Sequence, residues 1–251
     1  YSLEKYGSSM WHNGHLINFK SYEYKKAEFV ATYKIRNPLY LLKTIKKSIK
    51  FHKSIKDLRV SKKYKTIAQI NDENYDAIIY GSDEIWNLNN CLGGVVDPYY
   101  FGNEIETKKI SYAASFGSTS QINKEYDYIK NSLLSFDFVG LRDKNSEKIM
   151  NKIGYKNTQI VLDPTFLINQ NVIEPNINKK YIFYYCVGSN EKLDGELLNL
   201  SRNLGLDVIA FGYKHNKFKN IISISPFEWL GYLKNSEYVV TNMFHGAIFS
   251  I

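Results

Sequence analysis

Four short polar clusters break the apolar stretches of this chain: Gly81-Ser82-Asp83, Ser115-Phe116-Gly117, Arg142-Asp143 and Phe244-His245-Gly246. Each holds a group with chemistry to offer. Asp83 brings a carboxylate that reads either as a general base or as a helix N-cap. Arg142 is one of four arginines, with Arg36, Arg59 and Arg202; a guanidinium ending an apolar strand either receives an anion or pairs with a neighbouring carboxylate. His245 stands where a strand passes into a helix. Backbone amides and the helix dipole favour anions and a neutral imidazole there, which suits contact with phosphate or proton transfer; a capping or core histidine is the plainer alternative. Ser115 and Gly117 read equally well as a tight turn. His12, His15, His52 and His215 lie in polar or surface-like stretches without metal-ligand spacing, and no role or metal is assigned to them.

The clusters are placed by the strands that precede them. Strands are expected over Asp76 to Tyr80, over Lys109 to Ala114 and up to Arg142, and Asp143 is positioned to cap a helix from Lys144 to Gly154. A further strand, Gln159 to Leu162, runs into Asp163-Pro164. Strands that are apolar throughout and alternate with helices indicate an α/β fold, with a parallel sheet covered on both faces. Ligands bind such sheets at the strand C-termini, where these clusters fall. The polar stretch Asn169 to Lys180 reads as a linker. After it the pattern restarts: strand Tyr181 to Val187, helix Glu191 to Leu204, strand Asp207 to Phe211, helix Pro226 to Lys234, strand Glu237 to Thr241, and a helix opening near His245. Two domains are therefore expected, 1–170 and 180–251, flanking a cleft.

The chain has 251 residues, 44% of them apolar and 23% charged, within the range of folded globular proteins and outside that of disordered ones. Its longest unbroken apolar run, Tyr181 to Val187, is far short of the roughly 20 residues that cross a bilayer. Two cysteines, Cys91 and Cys186, make no disulfide framework, and a reducing cytoplasm is expected. The net charge of +8 is local. Residues 20–65 hold fifteen Lys and Arg against three acids, Glu23, Glu28 and Asp57, and with so few arginines nucleic acid is not the expected partner. Within this Lys-rich insertion, which comes after a short strand over residues 15–19, Leu42, Ile45, Ile49, His52 and Ile55 keep helical spacing from Pro38 onward. The main reading is a solvated lysine face over an apolar seam packed inward; the alternative is a helix at an anionic membrane surface or a partner. The opening residues, with Gly7 as a helix stop, and the apolar finish from Phe244 to Ile251 lead to the expectation of an internal fragment.

In this order, GSDEIWN at 81, ISYAASFG at 110, LRDKNS at 141, VLDPTFL at 161 and TNMFHGAIFS at 241 resemble the polysaccharide pyruvyl transferase family. The resemblance runs from about residue 15 to the end. It implies two Rossmann-like lobes similar to GT-B glycosyltransferases, the first lacking its initial strand and the second truncated. It also implies transfer of a pyruvyl group from phosphoenolpyruvate to sugar hydroxyls of a polysaccharide or its lipid-linked precursor as a ketal, with no cofactor beyond that donor. On this resemblance His245 and Asp83 are the catalytic residues. Arg142 holds an anionic group of phosphoenolpyruvate, and Ser82, Ser115 and Gly246 line the substrate. Glu84, Gly140, Asn242, Met243 and Ala247 depart from the usual family pattern. A nucleotide-sugar glycosyltransferase and a non-catalytic glycan-binding module are the competing readings.

Overall fold

The computed structural model describes residues 14–19, 38–56, 58–89, 96–167, 172–177, 179–188 and 191–251. In chain order its elements are β1 (Leu16–Phe19), α1 (Pro38–Ser54), β2 (Val60–Tyr64), α2 (Ala68–Asn71), β3 (Ile78–Tyr80), β4 (Lys109–Ala114), α3 (Asp127–Leu134), β5 (Phe138–Leu141), α4 (Lys144–Lys152), β6 (Thr158–Ile160), β7 (Tyr181–Tyr185), α5 (Glu191–Leu204), β8 (Asp207–Phe211), β9 (Lys219–Ile221), α6 (Pro226–Lys234), β10 (Tyr238–Thr241) and α7 (Phe244–Ile248). The helix end expected near Gly7 and the insertion before residue 38 lie outside the described residues. The fold is mixed α/β with parallel sheets, and the chain divides into two compact units, Tyr1–Lys34 with Leu58–Ile168 and Ile35–Asp57 with Asn169–Ile251.

In the first unit β3, β4, β5 and β6 pair in that order, all parallel, while β1 and β2 form a separate parallel pair. Trp86 is fully buried; its ring packs on Phe116 and Phe136 and its indole N–H donates to the Tyr100 carbonyl at 2.8 Å. Burying so large an aromatic with its polar handle satisfied fixes the loop after β3 against the core. As expected, Asp143 caps α4, its carboxylate accepting from the Ser146 N–H at 2.8 Å.

The second unit has the strand order β9-β8-β7-β10, again parallel. Counted within the unit this is the doubly wound order 3-2-1-4, whose direction reverses between β7 and β10; open α/β sheets bind ligands outside the strand C-termini at such a point. Phe183 and Phe211 stack at 4.2 Å with Trp229 edge-on to Phe183, and buried Asp194 accepts the Tyr184 hydroxyl at 2.9 Å. Ser225 and Glu228 form a capping box at the start of α6.

Three expectations are corrected. Residues 35–57 group with the second unit, not with the first: Lys50 binds both carboxylate oxygens of Glu228 on α6, at 2.9 and 3.0 Å, and the Lys47 ammonium donates to the Gly212 carbonyl at 3.1 Å. These polar contacts turn α1 so that Leu42, Ile45 and Ile49 face outward, 55%, 47% and 51% exposed, and the apolar seam is not the packed side. His215 is buried, with Nε2 3.0 Å from the Cys186 carbonyl and its ring on Tyr184.

Candidate active site

The loop leaving β3 begins at Gly81, at φ +126°, where a Cβ would lie 2.2 Å from the Tyr112 carbonyl oxygen; only glycine fits. Two residues on, Asp83 takes φ +72° and bridges to Ala114, with its carbonyl accepting from the Ser115 N–H at 2.9 Å. Ala113, at φ +54°, lies in the stretch Ser111–Ala114 where β4 slips register against β5. Left-handed backbone at non-glycine residues costs of order 1–3 kcal/mol each and gathers at functional sites. Asp83 and Ala113, two of the four such residues among those described, lie where β3 and β4 end. Ser82 sits half-buried in the same loop.

Arg142 comes directly after β5. Its side chain is only 6% exposed and lies between two carboxylates, with Asp83 Oδ1 at 3.2 Å and Asp163 Oδ2 at 3.4 Å. The two acids differ in kind. Asp163 is 1% exposed, and its other oxygen accepts from the Thr165 N–H at 3.1 Å in the turn Pro164–Phe166; the Asp83 side chain is 59% exposed. One acid holds the guanidinium from within, and the other reaches solvent. The turn after Asp83 contains no helix among residues 84–89, so the helix-cap reading of Asp83 does not hold.

Ser115 is buried, and its hydroxyl donates to the Asp143 carboxylate while accepting the Gly117 N–H at 2.9 Å. Asp143 also takes the Ser146 hydroxyl, whose oxygen in turn accepts the Phe116 N–H at 2.9 Å. Ser115 is thereby a joint between the loop after β4 and the start of α4. Gly117, at φ +52°, leaves room for the Glu84–Asn87 contact of 2.7 Å, since a Cβ there would come within 2.6 Å of both side chains.

In the second unit His245 is half-buried in the first turn of α7, just beyond β10, with rings of Phe244 and Phe249 at 5.3 and 6.3 Å. It therefore sits by the strand reversal of that sheet. Gly246 is buried against Thr241, whose Oγ1 would lie 2.3 Å from an added Cβ; the Thr241 hydroxyl donates to the Tyr185 carbonyl and accepts the Met243 N–H. Asn242 accepts the Val187 N–H and donates to the Val187 carbonyl, both at 3.0 Å, joining the segments after β7 and β10. A carboxylate at 242 would accept but could not donate. Near the ends of β7 and β8, burial pushes the Tyr185 hydroxyl well above its usual range, lowers the Lys47 ammonium and raises the Cys186 thiol.

The structure thus brings Asp83, Arg142 and Ser115 to one sheet edge of the first unit, and His245 and Gly246 to the strand reversal of the second. Sequence reasoning gave no role to Asp163 or to the two-way bond of Asn242. An Asp-Pro directly after an apolar strand was the signal for the former. Among the described residues no three His, Cys, Asp or Glu side chains cluster as metal ligands, and no helix is long and apolar enough to cross a membrane.

No curated protein and no solved structure matches the chain significantly. A family model described as polysaccharide pyruvyl transferase matches residues 1–251, the whole chain, and on that match the chain belongs to the polysaccharide pyruvyl transferase family.

Proposed function

We propose that this protein transfers the pyruvyl group of phosphoenolpyruvate to two hydroxyls of a polysaccharide, or of its lipid-linked precursor, as a cyclic ketal. The observation that carries the reading is the Asp83–Arg142–Asp163 array at strand ends of a family member. The reaction protonates the methylene carbon of the donor, one sugar hydroxyl attacks the oxocarbenium-like carbon, and phosphate leaves as the second hydroxyl closes the ring. Of the two hydroxyl protons, one balances the new methyl group and the other leaves with phosphate.

Asp83 is assigned as the base that takes a hydroxyl proton. It is open to solvent, and its direction is set by a guanidinium that Asp163 holds in turn. The resemblance assigned Arg142 to an anionic group of phosphoenolpyruvate. Two carboxylates already more than match its charge, so its first role is to orient Asp83. His245 is assigned to the donor side, as phosphate contact or proton donor to the methylene carbon, a role typically worth ~10² to 10⁴ in rate. Ser82 remains a substrate-lining position, whereas Ser115 shapes the loop after β4 and Gly246 the segment after β10, each within its own unit.

The test incubates the intact protein with phosphoenolpyruvate labelled in its pyruvyl carbons and a panel of bacterial oligosaccharides. Phosphate release matched by acid-labile label on the glycan supports the reading. Consumption of a nucleotide sugar with phosphoenolpyruvate left intact overturns it.

A further inference from the structure

We infer that the outer face of α1 is a docking surface for an anionic lipid bilayer. No residue of this 17-residue helix is buried. At about 100° per residue, Leu39, Leu42, Ile45 and Ile49 fall within one sector of about 120°. All four are exposed, Leu39 at 71%. Tyr40, Thr44, Lys47 and Ser54 lie on the opposite side and are half-buried. Lys47 and Lys50 are spent on Gly212, the Tyr213 ring and Glu228, which fixes the face that α1 presents. Lys43, Lys46 and Lys53 stay exposed beside the aliphatic row, and the helix contains no Asp or Glu.

Four large aliphatics in one exposed row mark an interaction face. Flanked by lysines, they match one surface best: an anionic bilayer, where aliphatic side chains enter the headgroup boundary and ammonium groups meet lipid phosphates. A nucleic acid would use the lysines and leave the row in water. A second copy of the chain would bring the same lysines against themselves. The inference does not rest on the pyruvyl-transfer reading.

The test is flotation of the intact protein with vesicles of phosphatidylcholine alone, or of equal parts phosphatidylcholine and phosphatidylglycerol. Binding is expected on the anionic vesicles only, weakening at least about tenfold between about 0.1 and 0.5 M salt. The triple variants L42S/I45S/I49S and K43E/K46E/K53E should each lose at least about tenfold in binding. Their melting temperatures should match the parent's, because the altered side chains are exposed. Equal binding to neutral vesicles, binding unchanged in either variant, or no binding by the parent would overturn the proposal. So would retention on a polyglutamate resin without vesicle binding, which would assign the face to an acidic protein.

Discussion

Replacing Asp163 with alanine tests how the Arg142 array is built. Asp163 and Arg142 are 1% and 6% exposed and face each other at 3.4 Å, so truncating the acid leaves a buried guanidinium without its inner counter-charge. Breaking a buried pair from one side costs about 3–5 kcal/mol, and the lower end applies at this separation. Loss of the acceptor for the Thr165 N–H adds about 1 kcal/mol. For a unit of this size about 4 kcal/mol corresponds to a fall in melting temperature of roughly 10 °C or more. Asp83→Ala removes the other carboxylate, but that one is 59% exposed; a solvent-screened pair is worth at most about 1 kcal/mol, or roughly 3 °C. Activity should rank the other way. Asp83→Ala is expected to lose at least about 100-fold in phosphate release while staying folded. Thermal melts followed by near-ultraviolet circular dichroism give the first ranking, and phosphate release from phosphoenolpyruvate gives the second. If Asp163→Ala melts within about 2 °C of the parent while Asp83→Ala falls further, the division into an inner holding acid and an outer reacting one is wrong.

Gly81→Ala places a Cβ 2.2 Å from the Tyr112 carbonyl at φ +126°, and a loss of at least about 3 kcal/mol should show in urea midpoints. His245→Ala should lower phosphate release at least about 100-fold with little change in melting temperature, since the ring is half-buried between two aromatics and its removal opens no deep cavity; an unchanged rate would take His245 out of the chemistry. Burial, and less so the nearby Tyr232, pushes the Tyr181 hydroxyl up to about 12 from 10.0. Folded protein then keeps a proton that the unfolded chain releases, so this contribution is complete below pH ~10 and is lost as pH rises through about 12. Tyr181→Phe should flatten that alkaline fall in denaturant midpoint, and an identical slope would exclude Tyr181 as its source.

The second unit was the more legible part of the fold. Its strands are short apolar runs between helices with clear starts, and the bounds expected for α5, β8 and α6 are those observed. Strands β2 and β9 carried no such signal, because Val60–Tyr64 is interrupted by Ser61 and two exposed lysines and Lys219–Ile221 is a three-residue edge. The helical period of α1 was readable, but which side packs was not. The apolar row suggested one answer, while Lys50 reaching Glu228 across 178 residues decided the other. The same limit applies at the site. The strand-end clusters could be found from local pattern, yet the pairing of Arg142 with Asp83 and Asp163 spans 59 and 21 residues and exists only once β3, β4, β5 and β6 have assembled into one sheet.

At φ +72° the backbone of Asp83 tolerates an aspartate better than most side chains, but glycine would sit there without steric cost. A turn serving only to connect β3 to the segment around Trp86 would gain from glycine at this position; a carboxylate held there by Arg142 indicates that the side chain, not the turn, is what the loop presents. Asp83→Gly separates the two demands. Relief of the strained backbone should offset loss of the exposed ion pair, leaving the melting temperature within about 3 °C of the parent and at or above that of Asp83→Ala. Phosphate release should nonetheless fall as far as in Asp83→Ala, the pattern of a site that trades stability for function. Retained transfer in Asp83→Gly would mean that the loop's shape suffices and that the carboxylate is not the base.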